Sequence, residues 1–183
     1  MRIIGGTAKG HAIKAPKGVD TRPTLDRVRE SVFNVLANRG IFGTDILDIF
    51  SGTGAVAIEA LSRGAAHAVA VDFKTGRLIL ENAKHCRVDD RLEIIPRKLS
   101  QLKNYIVGRQ FDYIFSDPPY ESGLIQDTID LVTTYDLLKS EGVLLLEHHK
   151  DEVFTLPESW ECIKEQKFGY TIVSYFVNIA ERS

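Results

Sequence analysis

The sequence predicts a doubly wound α/β fold: a mostly parallel seven-stranded sheet closed by an antiparallel C-terminal hairpin, with a small β-hairpin and helix added at the N-terminal end. Three observations lead there. Between residues 45 and 149, short and almost wholly apolar runs alternate with helical segments, as strands buried on both faces do. The first of these runs ends in a glycine-rich turn, SGTG, that opens a helix. The last two runs are separated only by FGY, too short for a crossover, so they pair antiparallel.

Residues 2–15, RIIGGTAKGHAIKA, hold β-branched pieces broken by glycine and read as a hairpin or two edge strands. PKGVDTRP (16–23) is a loop. Thr24 is placed to cap a helix reaching about Asn38, with Leu25, Val28, Val32, Val35 and Leu36 on one face. Next come a strand DILDIF (45–50), a helix AVAIEALSRG, a strand HAVAVD (67–72) and a helix from about Thr75 to Cys86. LEIIP (92–96), a polar helix, and FDYIFSD (111–117) continue the alternation. A helix around 124–138, the strand GVLLLEHH (142–149) and strands near 160–167 and 170–179 complete it. No repeat or linker interrupts the chain. The expected organisation is a basic hairpin and helix (1–40) carried on one catalytic-type body (41–183).

A chain of 183 residues with 44% hydrophobic and 26% charged residues suits one medium domain. Cys86 and Cys162 form no CxxC, so neither a disulfide framework nor a zinc site is signalled, and a reduced, cytoplasmic setting is expected. There is no secretory h-region and no apolar run near 18 residues, so no membrane partner is expected. The net charge of −2 conceals an asymmetry: residues 1–40 hold eight Lys/Arg against three acids, while the remainder is acidic. A basic arm on an acidic body points to a polyanion, with Arg2, Lys9, Lys14, Arg22, Arg27 and Arg29 as the phosphate-facing candidates. His148 and His149 are adjacent, so a strand turns them to opposite faces and they make poor joint metal ligands; no metal is expected.

The chemistry gathers in two stretches. In D48-I-F-S-G-T-G-A, Gly52 and Gly54 allow close backbone approach to a ligand, and Asp72, 18 residues after Gly54, is placed to accept hydrogen bonds from ribose hydroxyls. A nicotinamide dinucleotide site fits the same pattern. Asp48, ahead of the glycines, would repel a pyrophosphate but suits a cationic amino-acid group, such as that of S-adenosylmethionine (SAM). The second stretch is FSDPPY (115–120). Two prolines remove two backbone donors and fix two φ angles between a carboxylate and a phenol. Asp117, Pro118, Pro119 and Tyr120 would thus offer an acceptor carboxylate, a rigid carbonyl and a π-face. Those groups can hold a planar amine and aim its lone pair at a methyl donor.

DIFSGTGAVAIEALSRGA followed by FSDPPY resembles the class I SAM-dependent methyltransferases that act on exocyclic amines, a Rossmann-like family. RIIGGTAKGHAI, TRPTLDRVRESVFNVL and FGYTIVSYF narrow the resemblance to the RsmD-like 16S rRNA guanine-N2 methyltransferases, over nearly the whole chain. The resemblance implies methylation of one guanine N2 in rRNA of the small ribosomal subunit or an assembly intermediate. It places SAM on Asp48, Phe50, Gly52, Gly54 and Asp72, with Ser51, Thr53 and Phe73 beside them, and the target base at residues 117–120. Where such enzymes often carry an acid after the third strand, this chain has PRKLS (96–100), which leaves adenine to the backbone near Lys98 and Leu99. Methylation of adenine N6 or another nucleic acid is the alternative, and a nicotinamide oxidoreductase fits the glycines but leaves residues 117–120 without a purpose.

Overall fold

The structure, a computed structural model, describes residues 1–16, 23–120 and 122–180, with the backbone alone at 23–25. Lys17, Arg22 and the expected Thr24 cap lie outside the described residues or side chains. In chain order the elements are α1 (Pro23–Arg39), β1 (Asp45–Ile49), α2 (Ala55–Ser62), β2 (His67–Val71), α3 (Gly76–His85), β3 (Leu92–Ile95), α4 (Leu99–Ile106), β4 (Phe111–Ser116), α5 (Leu124–Thr134), β5 (Leu138–His149), β6 (Trp160–Phe168) and β7 (Thr171–Asn178). The strands form one seven-stranded sheet, β3-β2-β1-β4-β5-β7-β6. β1 to β5 pair parallel, and β7 runs antiparallel to both β5 and β6. The order reverses between β1 and β4, which opens a crevice at their carboxyl ends.

Each sheet face has its own apolar layer. Phe115, Leu145, Val173 and Tyr175 pack with residues of α1, α2 and α3, whereas Leu47, Ile114, Leu144 and Leu146 pack with those of α4 and α5. Alternation along parallel strands sorts the functional side chains too: Asp48 pairs with Phe115, so it shares the first face.

Two boundaries differ from expectation. α5 stops at Thr134, because Asp136 adopts a left-handed φ of 49°, and β5 begins at Leu138, before the apolar run. Residues 2–15 form a hairpin-like turn with the isolated bridge Arg2↔Ala12 and backbone hydrogen bonds from Ile3 to His11, Gly10 to Ile3 and Ile13 to Met1, and they lie outside the main sheet.

That turn is bound to α2. Glu59, fully buried, accepts hydrogen bonds from the backbone N–H groups of Ile4 (2.8 Å) and Gly5 (2.7 Å), and pairs with Arg63 at 2.7 Å. Gly6 has φ +75° and runs so close to the Ser62 carbonyl that an added Cβ would lie 1.8 Å from its oxygen. Thr7 N–H donates to that same oxygen and Ala8 N–H to Ser62 Oγ. Ile3, Ala8 and Ile13 are buried in the cluster that holds α2 and α3. The N-terminal segment therefore covers apolar surface of the body; the glycine pair is a docking device rather than a mere strand breaker. Among the described residues no helix is long and apolar enough to cross a membrane.

Candidate active site

A cleft of about 1190 Å³ opens at the carboxyl edge of β1, β2, β4 and β5. Small-molecule pockets usually measure ~300–1,000 Å³, so this one has space for a second group beside a cofactor-sized ligand. Its wall includes Phe50, Asp72, Phe73, Lys98 and Leu99 from the expected cofactor set, and Asp117, Pro118, Pro119 and Tyr120 from the second stretch. The two motifs, more than 60 residues apart in sequence, thus meet in one cavity.

The first loop is tightly specified. Phe50 takes φ 62°, a conformation that a bulky side chain adopts only at a cost, where the strand turns into the loop. Ser51 Oγ donates to the Asp48 carbonyl and accepts from Val71 N–H, bracing β1 against β2. The two glycines have different tasks. A Cβ at Gly52 would meet nothing within 4 Å, but at Gly54, φ +78°, it would lie 2.8 Å from Ile79 of α3. Gly54 is therefore a packing requirement and Gly52 the open approach. Thr53 contacts Met1 Sδ through its hydroxyl, and its carbonyl accepts from Asn82.

The loop at 51–54 follows Phe50 of the cleft wall, and its Gly52 N–H donates to Asp72 of that wall. Asp48 is only 1% exposed, and its Oδ2 accepts the Ala57 N–H of α2 at 3.2 Å. Burial pushes its carboxyl up to about 7, partly opposed by that N–H and reinforced by the nearby Asp117 and Asp72.

Asp72 accepts from Gly52 N–H (3.1 Å) through one oxygen and from Lys74 and Thr75 N–H (2.8 and 3.1 Å) through the other. It ties the glycine loop to the entry of α3 while lining the cleft. Phe73 is half exposed, with Lys74 Nζ and Lys98 Nζ 5.0 and 5.5 Å from its ring centre. Arg97, Lys98 and Lys103 make the β3 end of the cleft basic, and no acid occurs at 96–100.

Asp117 N–H makes a last, long bond to the Ile49 carbonyl, after which the prolines end the ladder. Ser122 Oγ donates to the Pro119 carbonyl, pinning the turn before Gly123 opens α5. The feature that sequence reading missed is Glu147. Ser116 pairs with Leu146 across β4 and β5, so Asp117 and Glu147, one step on, emerge side by side on the face that also holds Asp48. Glu147 is 5% exposed yet lines the cleft, and among the described residues no hydrogen bond reaches its carboxyl. Burial raises the carboxyls of both Asp117 and Glu147, and Asp117 raises Glu147 further; the pair holds a proton near neutrality. A local signal existed: an acid closing an apolar strand, GVLLLE, at the edge where ligands bind.

These raised carboxyls make a stability prediction. A carboxyl raised on folding contributes stability that is complete below about pH 4 and is lost as pH climbs through its folded value, here between roughly 6 and 8. The ligand-free protein is expected to lose a few kcal/mol, in order of magnitude, between pH 5 and 8.5. Asp45, whose carboxyl lies below its ordinary value, acts only at lower pH. Thermal melts across that range check this, and Glu147→Gln should flatten the decline; a melting temperature that rises with pH would contradict it.

The outer mouth carries aromatic rings. Tyr120 meets His149 edge-on at 5.7 Å, and His149 stacks on Tyr170 at 5.7 Å and 22°. Tyr120 also hydrogen-bonds Thr171 at 3.0 Å. Tyr170 is 68% exposed on the β6–β7 turn. His148 turns away to Ser174. Among the described residues no group of three or more His, Cys, Asp or Glu is placed to hold a metal.

The basic arm is only partly as expected. Arg2, Lys9, Lys14 and Arg27 are exposed, Arg2 donating to the Gly10 carbonyl and Lys14 pairing with Glu81. Arg29 is a correction: it is buried, donates to the Arg2 carbonyl and Asp26, and sits 3.8 Å from Glu59, so it cannot face a phosphate.

A family model described as Conserved hypothetical protein 95 matches residues 1–177. Ribosomal RNA small subunit methyltransferase D of Escherichia coli K12 is 33% identical over 172 residues, 92% of this chain and 85% of that protein. YlbH of Bacillus subtilis strain 168, named as a candidate rRNA methyltransferase, is 35% identical over 183 residues, 96% of this chain and 98% of its own. Among solved structures, a candidate methyltransferase from E. coli, yhhF, has a TM-score of 0.86 at 29% identity, covering 99% of both chains. A ribosomal protein L11 methylase from Lactobacillus delbrueckii, at TM-score 0.66 and 17% identity over 83% of this chain and 79% of that one, shares the fold.

Proposed function

Because the chain belongs to the RsmD family of ribosomal RNA small subunit methyltransferases, within the class I methyltransferase fold, we propose that it transfers a methyl group from SAM to the exocyclic N2 amine of a guanine in 16S rRNA. The observation that carries this reading is the convergence of Asp117, Pro118, Pro119, Tyr120 and Glu147 in the cleft that Asp72 lines. An electron-rich, carboxyl-lined pocket favours a cation, and SAM when bound supplies a methyl on a positive sulfonium. Asp72 would hold the ribose edge, Phe73 and the backbone near Lys98 and Leu99 would flank the adenine, and Phe50 with the loop at 51–54 would shape the amino-acid end. Asp48 supports that loop from below.

A guanine amine is a weak nucleophile because its lone pair is delocalised. Asp117 and the rigid carbonyl of the double proline accept its hydrogens and Tyr120 supports the ring, so the lone pair points at the methyl carbon. The C–N bond forms as the C–S bond breaks, the bonding pair stays on sulfur, and the amine proton passes to the carboxyl pair or to water. No covalent enzyme intermediate is involved. The exposed rings of Tyr120, His149 and Tyr170 favour an unstacked, single-stranded target, since stacking on aromatic residues is sequence-tolerant and worth about 1–3 kcal/mol per base. The exposed cations Arg2, Lys9, Lys14 and Arg27 are the phosphate-facing groups of the N-terminal part, with Arg22 as a further candidate.

The test is tritium transfer from labelled SAM to naked 16S rRNA, small subunits, partly assembled particles and large subunits. Label is expected in small-subunit rRNA; label confined to large subunits, or none, would reject the proposal. Asp72→Ala is expected to weaken S-adenosylhomocysteine binding roughly five- to 150-fold by calorimetry, about 1–3 kcal/mol. Unchanged affinity in a folded variant would remove Asp72 from the site.

A further inference from the structure

We infer that Glu147 is a base-reading residue: its carboxyl accepts the N1–H of the target guanine while Asp117 accepts from N2, so the adjacent carboxyls select guanine by two neighbouring donors. This rests on the methyl-transfer reading above and adds the residue that sets base identity. The geometry follows from register. β4 and β5 are parallel neighbours paired as far as Ser116↔Leu146, and strands in a sheet lie about 4.8 Å apart, so the next side chains present two carboxyls abreast. Glu147 is buried, lines the cleft and finds no hydrogen-bond donor among the described residues. Its carboxyl opens onto the cleft while the rest of the residue is buried, so a donor on a ligand in the cleft can reach it.

The purine edges decide which ligand. Guanine presents N1–H and N2–H as adjacent donors, the complement of two acceptors. Adenine presents its amine beside a bare N1, whose lone pair would oppose the Glu147 oxygen. The selection belongs to the ionised Glu147, since a protonated carboxyl would offer its O–H to a bare N1 as a glutamine amide does; the guanine N1–H favours the ionised form and leaves the shared proton to Asp117. Enzymes that act on an extruded base read it in this way, by hydrogen bonds along its pairing edge.

The experiment uses 16S rRNA ligated to carry either guanine or 2-aminopurine at the labelled position and assembled into the particle that accepts label. 2-Aminopurine keeps the 2-amino group but has a bare N1. The unaltered protein is expected to prefer guanine by at least about 100-fold in single turnover, as sites built around a hydrogen bond reject analogues lacking it. Glu147→Gln can turn its amide NH2 toward a bare N1. It should bind S-adenosylhomocysteine within about threefold of the unaltered protein, lose about 100-fold on guanine and shrink the preference at least tenfold. Glu147→Asp, which keeps a carboxylate but withdraws it, should be slower on guanine yet retain the preference, and it carries the test if the glutamine variant does not fold. An unaltered guanine preference in Glu147→Gln, or an unaltered rate in Glu147→Asp, overturns the inference while leaving methyl transfer standing. Absence of guanine methylation by the unaltered protein overturns both.

Discussion

Asp117→Ala is expected to slow methyl transfer by about 10²-fold or more at saturating SAM while leaving S-adenosylhomocysteine affinity nearly unchanged. Loss of one preorganised polar group from a dry site commonly has this effect. Two consequences compete. The substitution removes the like charge that raises Glu147, which relaxes the folded protein above pH 6. It also removes the acceptor that holds the amine, and the amine then rotates with its lone pair unaimed. The first effect acts on stability and the second on rate, so single-turnover kinetics and melting curves separate them. A variant that melts higher at pH 8 and turns over slowly is the predicted outcome. Normal turnover would eliminate alignment by Asp117 as the source of catalysis.

Glu59→Ala should produce the largest loss of stability, about 3–5 kcal/mol, the usual result of removing one partner from a buried ion group. Glu59 is wholly buried between Arg63 at 2.7 Å and Arg29 at 3.8 Å, and it also accepts from Ile4 and Gly5 N–H. Without it, the Arg29 guanidinium is left buried with Asp26 and one carbonyl as its remaining partners, and two backbone donors lose theirs. Domains are stable by about 5–15 kcal/mol, so the loss is a large fraction of the whole. Chemical denaturation measures it, and amide exchange at Ile4 and Gly5 should accelerate well before global unfolding. A change under 1 kcal/mol would show that the N-terminal turn is held by its apolar contacts alone.

That second result bears on how far the sequence could be read. The parallel strands were legible because burial on both faces leaves runs such as HAVAV and GVLLL with little ambiguity. The double proline was legible because it can only end a ladder. Glu147 was not, since its neighbour depends on the register of two strands whose paired residues lie 30 positions apart, which no local pattern encodes. Arg29 was misread because charge was taken to mean solvent; its burial follows from the distant Glu59. The same pair turns the N-terminal turn from an arm into a cover for α2. Tyr170 is the reverse case, an aromatic at a hairpin turn that stays largely exposed although His149 stacks against one face.

The central claim, methyl transfer to guanine N2, is tested most directly by the identity of the product. Small-subunit rRNA incubated with the protein and methyl-deuterated SAM, then digested to nucleosides, is expected to contain deuterated N2-methylguanosine as the one labelled species, from a single position. Label in N6-methyladenosine, in a methylated pyrimidine, or in no nucleoside at all would contradict the account.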